Sequence, residues 1–275
     1  MRIKWLMAMM ALSGMTAQAG QAAEAGTAGS LPGEVKLLIR DGHPIVDGVY
    51  VNGHGPYKFL LDTGADVDLI EANLAGAIGM RATFRTELAS PAGVIVVPGA
   101  NGIAVTLDPA KADGQKFLFL GLETLHHRWP DVHGVLGQGF LSRFDYMLDL
   151  RGRRLEFGKQ DRDGTRARFT MVNGLPAVNT SLGDLVLDSG AERIILFAVK
   201  PDIGLGDQFE LHTVASSQEI GMVPGKSLNI EGRKIWRGEA VALPRAAEPG
   251  IDGLMPLSLF KAIYVCNSEG YVVFE

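Results

Sequence analysis

The sequence FLLDTGAD at residues 59–66 occurs a second time, with conservative changes, as LVLDSGAE at residues 185–192. Each residue of the second copy lies 126 positions after its counterpart in the first. Two shorter blocks keep the same spacing, because Ala-Ser at 89–90 recurs at 215–216 and Val-Pro-Gly at 97–99 recurs at 223–225. Three blocks in one register indicate a tandem duplication.

Weaker matches, separated by small gaps, extend the duplication over most of the chain. Most segments are short apolar or alternating runs bounded by Gly, Pro, Asn and Asp, a pattern that predicts β-strands. Asn52-Gly53 predicts a hairpin turn. Helical patterns are few, and we expect only short helices at residues 71–77 and near Phe140 and Leu257. The sequence therefore predicts an all-β protein built from two related lobes.

The chain termini and the charge pattern suggest a domain layout. A basic start, an apolar run and Ala-Gln-Ala at 17–19 predict a signal peptide over 1–19, with a retained anchor helix as the alternative. We expect export to the periplasm or secretion, with no stable membrane insertion after the signal is removed. The predicted parts that follow are a flexible leader at 20–32, an N-terminal lobe at 33–158, a linker at 159–166 and a C-terminal lobe at 167–275.

The composition gives no support for nucleic-acid binding and rules out an intrachain disulfide. The chain has 275 residues and a formal net charge of −5, which gives no reason to expect nucleic acid as a partner. Its single cysteine, Cys266, cannot form an intrachain disulfide. Because Cys266 lies in an apolar run, we predict a small core residue there instead of a reactive thiol.

The repeated motif has the features of a catalytic carboxylate loop. Each copy places an aspartate at the end of an apolar strand, followed by a hydroxyl residue and a glycine. The glycine permits a tight turn, and the hydroxyls can link the two loops to each other. A single copy would be compatible with an ordinary Asx turn, but two matched copies favour a paired site. The predicted catalytic pair is Asp62 and Asp188, and the predicted supporting residues are Thr63, Gly64, Ser189 and Gly190.

Two loops related by a twofold axis would place the two carboxyls side by side. Like charges about 3 Å apart cannot both ionise readily, so the pair holds one shared proton. One carboxyl can then activate a water against an amide carbonyl while the other protonates the developing oxyanion. The titrations belong to the pair, and the sequence assigns neither role to either aspartate.

The segment at 60–66 resembles the active-site segment of retroviral-type aspartic proteases. The tandem arrangement resembles pepsin-like enzymes, and most closely bacterial retropepsin-like proteins with two such domains. The resemblance implies a bilobal acid-protease fold with two β-barrel-like lobes and a cleft between them. It also implies an aspartic endopeptidase that acts on a peptide or protein substrate without a metal or other cofactor. The implied substrate-binding positions are Ala65, Asp66, Ala191 and Glu192.

The sequence departs from the family pattern at the element that supports each loop. The apolar-apolar-Gly element is present at 135–137, but its second copy at 254–256 ends in Pro256. Gln138 and Leu257 stand where retroviral enzymes have an arginine. Glu192 replaces the acidic residue that is Asp66 in the first half. These changes affect loop support and substrate anchoring but leave both catalytic carboxyls in place.

The resemblance also implies a hairpin flap over the cleft, for which residues 89–102 and 215–225 are candidates. The alternative for either segment is an ordinary turn with Val-Pro-Gly at a corner. Whether one flap or two would cover the cleft is left open.

His126, His127 and His133, with Asp131, could suggest a metal cluster, but their spacing fits no helix-borne ligand pair. We therefore expect a surface loop and no metal there.

Three functions remain as alternatives. The leading hypothesis is an endopeptidase that works as a monomer, because both aspartates lie on one chain. The second hypothesis is a non-catalytic peptide-binding protein of the same fold, since a fold alone does not imply activity. The third is a two-carboxylate glycosidase, whose carboxyls flank a sugar at about 5 Å or more and do not require the repeated motif.

Overall fold

The computed structural model describes residues 4–5, 11–13, 33–90, 93–197, 209–212, 217–243 and 250–275. The strands of the N-terminal half are β1 Lys4–Trp5, β2 Ala11–Ser13, β3 Glu34–Arg40, β4 His43–Val51, β5 His54–Leu61, β6 Asp68–Glu71, β7 Phe84–Ser90, β8 Gly93–Leu107, β9 Ala110–Leu120, β10 Val132–Leu136, β11 Tyr146–Asp149 and β12 Arg154–Phe157. Those of the C-terminal half are β13 Thr165–Val172, β14 Leu175–Thr180, β15 Gly183–Asp188, β16 Ile195–Phe197, β17 Phe209–His212, β18 Ser217–Ile230, β19 Arg233–Leu243, β20 Gly253–Pro256, β21 Ala262–Cys266 and β22 Tyr271–Phe274. The helices are α1 Ala72–Ala77, α2 Glu123–Arg128 and α3 Gln138–Leu141, with a 3-10 turn at Leu257–Leu259.

Both lobes build their central strands in the same way. In the N-terminal lobe, β10 lies between β5 and β6, parallel to the first and antiparallel to the second. In the C-terminal lobe, β20 lies between β15 and β16 with the same directions. The lobes thus repeat one topology, as the sequence duplication predicts.

The apolar run before each aspartate fixes that central strand. Successive side chains of a strand point to opposite faces, so Phe59 and Leu61 enter one apolar cluster while Leu60 enters another. In the second lobe, Leu185 and Leu187 are separated from Val186 in the same way. Burial on both faces leaves the strand little freedom, and it therefore positions the residue at its end.

A shared antiparallel sheet joins the lobes. Its strand order is β3-β12-β11-β21-β22-β13. The two halves meet at β11 and β21, where Leu148 pairs with Ile263. Equivalent strands from the two repeats lie on either side of this pair, so the sheet is centred on the approximate twofold axis. Cys266 is buried in the apolar cluster at this sheet.

Several local expectations are confirmed. Asn52 and Gly53 have positive φ angles of 50° and 79° in the turn between β4 and β5. Short helical turns occur at all three expected places, namely α1, α3 and the 3-10 turn. Among the described residues, no helix has the length and apolar character needed to cross a membrane.

Three local expectations are wrong or need adjustment. His126 and His127 lie in α2 and not in a loop. The two Val-Pro-Gly blocks lie inside β8 and β18 and not in turns between strands, although the second coincides with a register shift between Val223 and Lys226. The strand β13 begins at Thr165, so the last two residues of the expected linker pair with β22.

The leader at 20–32 and most of the predicted signal peptide lie outside the described residues. Lys4–Trp5 pairs with β7, and Ala11–Ser13 pairs with β17.

Candidate active site

The two predicted catalytic aspartates meet at the centre of the molecule. Asp62 follows β5, and its N–H donates to the Leu136 carbonyl oxygen at 2.9 Å. Asp188 ends β15 and is paired in register with Pro256 of β20. Both side chains are 0% exposed, so the pair lies in a low-dielectric environment. Both loops belong to one chain, so the pair lies within that chain.

The hydroxyls after the aspartates lock the loops together reciprocally. Thr63 Oγ1 donates to the Leu187 carbonyl at 2.8 Å and accepts the Ser189 N–H at 2.9 Å. Ser189 Oγ donates to the Leu61 carbonyl at 2.7 Å and accepts the Thr63 N–H at 3.0 Å. Four buried hydrogen bonds thus cross the twofold axis, which is the loop linkage expected from the sequence. They fix the distance between the loops and hence between the carboxyls.

The glycines of the motif allow each carboxyl to lie against the opposite loop. A Cβ atom on Gly64 would lie 2.5 Å from Cγ of Asp188, far inside normal contact. A Cβ atom on Gly190 would lie 3.1 Å from Oδ1 of Asp62 and 3.2 Å from Oδ1 of Asp188. Close approach is therefore the reason for glycine at both positions, because neither has a positive φ.

Each carboxyl has one oxygen that accepts backbone hydrogen bonds and one oxygen that, among the described residues, accepts none. Oδ1 of Asp62 accepts the Gly64 N–H at 2.9 Å. Oδ1 of Asp188 accepts the N–H groups of Gly190 at 2.7 Å and Ala191 at 3.1 Å. Within the described part of the chain, Oδ2 of both aspartates is buried and lacks a hydrogen-bond partner. Two such oxygens can hold a shared proton and a water molecule.

Burial dominates the protonation of the pair. It raises the pKa of Asp62 to about 6, against the opposing effects of the Gly64 N–H and of His43. Burial also raises the pKa of Asp188 well above its usual range, and the charge of Asp62 raises it further. The pair therefore keeps a proton at a pH where isolated aspartates are ionised, as general acid–base chemistry requires.

Two polar residues of the N-terminal lobe support the first loop. Gln138 Nε2 donates to the Thr63 carbonyl at 2.8 Å, which gives a structural role to a residue that departs from the family pattern. Oδ1 of Asp68 accepts the Gly137 N–H at 2.9 Å and the Phe140 N–H at 3.3 Å. Burial raises the pKa of Asp68 to about 8. Sequence reasoning missed Asp68, although comparing it with Ile194 in the repeat would have shown a lobe-specific polar residue.

A second polar group connects the lobes beside the pair. His43 is 1% exposed, and its Nε2 lies 3.2 Å from Oε1 of Glu192. Arg128 Nη1 lies 3.5 Å from the same oxygen and Arg128 Nη2 lies 3.3 Å from Asp41. The charge of His43 lowers the pKa of Asp62. Sequence reasoning missed His43 because its partner Glu192 is 149 residues away.

The four predicted substrate-binding residues have different surroundings. Ala65 is fully buried, and its carbonyl accepts the Gln138 N–H at 2.7 Å. Asp66 is 8% exposed and lies next to Gly174 of the other lobe. Ala191 donates to Asp188, and Glu192 forms the interlobe contacts above. These contacts are structural, and a substrate-binding role for the four residues stays a prediction.

The candidate flap segments form parts of long hairpins. Strand β7 pairs along its length with the first part of β8, from Phe84–Gly99 to Ser90–Gly93, and residues 91–92 lie outside the described part. Near this end, Val94 and Val96 are 56% and 59% exposed. In the second lobe, β18 pairs with β17 and β19, and residues 215–216 of the candidate lie outside the described part. Gly99 and Gly102 lie within β8 and not at the hairpin tip.

Comparison with known proteins gives the fold but not the activity. No protein-family profile and no curated protein sequence matches this chain. Basic 7S globulin from soybean is similar in structure, with a TM-score of 0.51 and 10% identity, over 88% of this chain and 94% of the globulin. An aspartic proteinase from Irpex lacteus has a TM-score of 0.49 and 11% identity, over 87% and 96% of the two chains.

A retropepsin-like aspartic protease from Rickettsia conorii matches 45% of this chain and 87% of its own, with a TM-score of 0.32 and 21% identity. The likeness to the soybean protein spans both lobes, and that protein is named as a globulin, not as a protease. Similarity at this level therefore supports the architecture and leaves activity to the site itself. The chain has the all-β, bilobal fold of aspartic proteases, as its repeated motif predicts.

Proposed function

We propose that this chain is an aspartic endopeptidase that hydrolyses peptide bonds with a water molecule activated between Asp62 and Asp188. The observation that carries the proposal is the pair of buried carboxyls in one chain, each with Oδ1 held by backbone N–H groups and with a buried Oδ2 that has no hydrogen-bond partner in the described part of the chain. A merely structural turn would need neither two matched copies nor their approach across a twofold axis. The raised pKa values favour the singly protonated pair that the chemistry uses.

The reaction follows from this protonation state. The ionised carboxyl takes a proton from the water, and the water oxygen bonds to the carbonyl carbon of the peptide. The other carboxyl gives its proton to the carbonyl oxygen, which forms a neutral tetrahedral intermediate. Breakdown breaks the C–N bond, returns a proton to the amine and regenerates the carboxyl pair with one proton. No step requires a metal ion or another cofactor.

The partners and the location are part of the proposal. We expect an extended segment of a peptide or protein to bind between the lobes, with an exported monomer as the working form. The four hydrogen bonds between the loops support assembly within one chain. A constant activity per molecule on dilution, with a constant solution mass, would be the matching result.

The test compares cleavage of an unfolded protein by the wild type, Asp62→Asn and Asp188→Asn. Each substitution should lower kcat by about 100-fold or more, because an amide can neither act as the base nor share the proton. The fold should be retained, since the amide has nearly the shape of the carboxyl and each change removes an ionisable group from a buried site. Asp113→Asn is a matched control at an exposed position and should have normal activity. Near-normal activity in either pair variant would refute the assignment.

Binding measurements separate the two main alternatives. A peptide mimic with a central hydroxyl in place of the scissile carbonyl should inhibit the wild type, because the hydroxyl occupies the water position. It should bind Asp62→Asn more weakly. A wild-type protein that binds peptides at every pH tested but never cleaves them would instead be the non-catalytic peptide-binding protein. A bell-shaped pH profile is expected for an enzyme, because the doubly protonated and doubly ionised pairs are both inactive.

A further inference from the structure

Three side chains from separate elements of the N-terminal lobe converge at its surface. Glu71 ends β6, His126 lies on α2 and His133 lies on β10. One nitrogen or carboxylate oxygen from each lies within 4.8 Å of the other two. Oε2 of Glu71 is 3.2 Å from Nδ1 of His133 and 3.8 Å from Nε2 of His126. We propose that these three residues form a binding site for a divalent transition-metal ion, with zinc as the first candidate.

The distances between the candidate ligand atoms suit an ion with tetrahedral coordination. Zinc binds imidazole nitrogen and carboxylate oxygen at about 2.0–2.2 Å, which separates neighbouring ligand atoms by about 3.4 Å in a tetrahedron. The two distances from Glu71 lie on either side of that value. Small side-chain movements would therefore bring all three atoms into coordination. Two imidazoles with one carboxylate form a donor set that favours zinc and related transition metals over magnesium or calcium.

The three side chains are partly exposed, so an ion from solvent can reach them. Their exposed fractions are 18% for Glu71, 26% for His126 and 34% for His133. An ion could be reached by solvent, and water could complete its coordination. Binding through Nε2 of His126 has a cost, because this atom lies 3.0 Å from the Val132 carbonyl oxygen and would give up that hydrogen bond. The His133 ring packs edge-on against Tyr57, which limits its rotation.

The neighbouring polar residues are engaged elsewhere. Asp131 is held by Arg40 and lies 3.1 Å from Lys58, so its carboxylate is directed to cations of the protein. His127 is exposed on α2, with Nδ1 2.6 Å from the Glu123 carbonyl oxygen. His127 is thus a histidine of the same helix that does not belong to the cluster. It supplies a matched control.

The expected effect of the ion is on stability. Strand β10 pairs with both β5 and β6, and Leu136 at its end accepts the N–H of Asp62. An ion held by Glu71, His126 and His133 would fasten α2 to β6 and β10 in the folded state only. Such binding stabilises the folded chain by mass action. The ion takes no part in the hydrolysis proposed above, so this inference is independent of that function.

The experiment uses the full chain without an affinity tag, freed of metal by a chelator and dialysed. Titration with zinc chloride in a calorimeter should show one equivalent bound with a dissociation constant below about 10 µM, and the melting temperature should rise. Glu71→Gln, His126→Ala and His133→Ala should each weaken binding by about tenfold or more. His127→Ala should bind as the wild type does.

A second readout does not depend on any variant. Cobalt(II) added to the metal-free wild type should give visible absorption bands of a four-coordinate site with nitrogen ligands, and one equivalent of zinc should abolish them. The proposal is overturned if the wild type binds no zinc at about 100 µM. It is also overturned if His127→Ala weakens binding as much as His133→Ala does.

Discussion

The two lobes hold their aspartate loops with the same strands but with different side chains. The N-terminal loop is supported by polar groups, with Gln138 on the Thr63 carbonyl and Asp68 on the Gly137 N–H. The C-terminal loop has apolar residues at the matching places, and they are buried. The matched positions, first lobe before second, are His43 and Leu175, Asp68 and Ile194, Gly137 and Pro256, and Gln138 and Leu257.

The exchange of Asp68 and Gly137 for Ile194 and Pro256 removes a hydrogen-bond acceptor and its donor together. Pro256 has no N–H group, and Ile194 offers no side-chain acceptor. Replacing both partners of a buried hydrogen bond by apolar groups can be nearly neutral, whereas removing one leaves a buried group unpaired. The departure at Pro256 is therefore compatible with a well-supported second loop. The difference teaches that the repeated topology, and not one set of side chains, holds the aspartates.

The glycine at the centre of each motif offers the largest contrast between the lobes. Gly64→Ala should lower kcat/KM by about 100-fold or more, because its Cβ would displace the Asp188 carboxyl, and small misplacements of reacting groups are costly. Gly190→Ala should have a smaller effect, because its nearest contacts are at 3.1 Å or more. Gly76→Ala in α1 meets no atom within 4 Å and is the control. Equal losses at 64 and 190 would contradict this asymmetry.

The titration of Asp68 has no counterpart at Ile194. Its pKa is raised to about 8 in the folded state, above the usual aspartate value, so the folded protein holds a proton that the unfolded chain releases. The free energy of unfolding should therefore fall as pH rises from about 4 to 8, with a slope of about 1 kcal/mol per pH unit from this group. Asp68→Asn should remove that part of the slope, measured by urea unfolding across this range.

Asp113→Asn is the control for the Asp68 measurement, since its side chain is exposed and its removal should leave the slope unchanged. Burial raises the pKa of Asp62 and Asp188 as well, and their contributions have the same sign. Some slope should therefore remain in Asp68→Asn. A slope identical to that of the wild type would show that Asp68 is ionised in the folded protein.

Substitutions at the C-terminal ends of the two supporting strands, at Gly137 just after β10 and at Pro256 in β20, should also distinguish the two lobes. Gly137→Ala should destabilise the protein by about 3 kcal/mol, because a Cβ there would lie 2.6 Å from the carbonyl oxygens of Ala65 and Val67. Pro256→Ala should cost about 1 kcal/mol or less, mainly through greater freedom of the unfolded chain. Chemical denaturation of both variants gives the comparison. Equal costs would mean that the two strand ends have the same packing.

The smallest expected difference between the lobes concerns the next residue along each chain segment, Gln138 in the first lobe and Leu257 in the second. Gln138→Leu copies the second lobe into the first and leaves the Thr63 carbonyl without its side-chain donor. We expect a loss of about 2 kcal/mol, the usual penalty for a buried polar group that loses its partner. Leu257→Met, a volume-conserving change in the other lobe, should cost less than about 1.5 kcal/mol. A Gln138→Leu protein as stable as the wild type would show that the Thr63 carbonyl needs no such support.

Much of the fold could be predicted from the sequence because the information is local or repeated. The apolar runs before Asp62 and Asp188 predict buried strands, and Asn52-Gly53 predicts a hairpin through its backbone preference alone. The spacing of the two motifs predicts two equivalent lobes. Helix α2 was missed because its six residues carry no clear apolar periodicity, and a helix this short depends on packing, here of Leu125 and the adjoining Trp129 in the core.

The sequence by itself determined the all-β bilobal architecture and the identity of the two aspartates, because strand patterning and a duplicated motif are properties of the chain. Only the tertiary structure decided which distant side chains meet. It places Glu192 beside His43 and brings Glu71 to His126 and His133, through contacts that depend on how strands far apart in sequence pair. The protonation of Asp62, Asp68 and Asp188 was also decided there, because burial raises their pKa values and burial is a property of the packed fold.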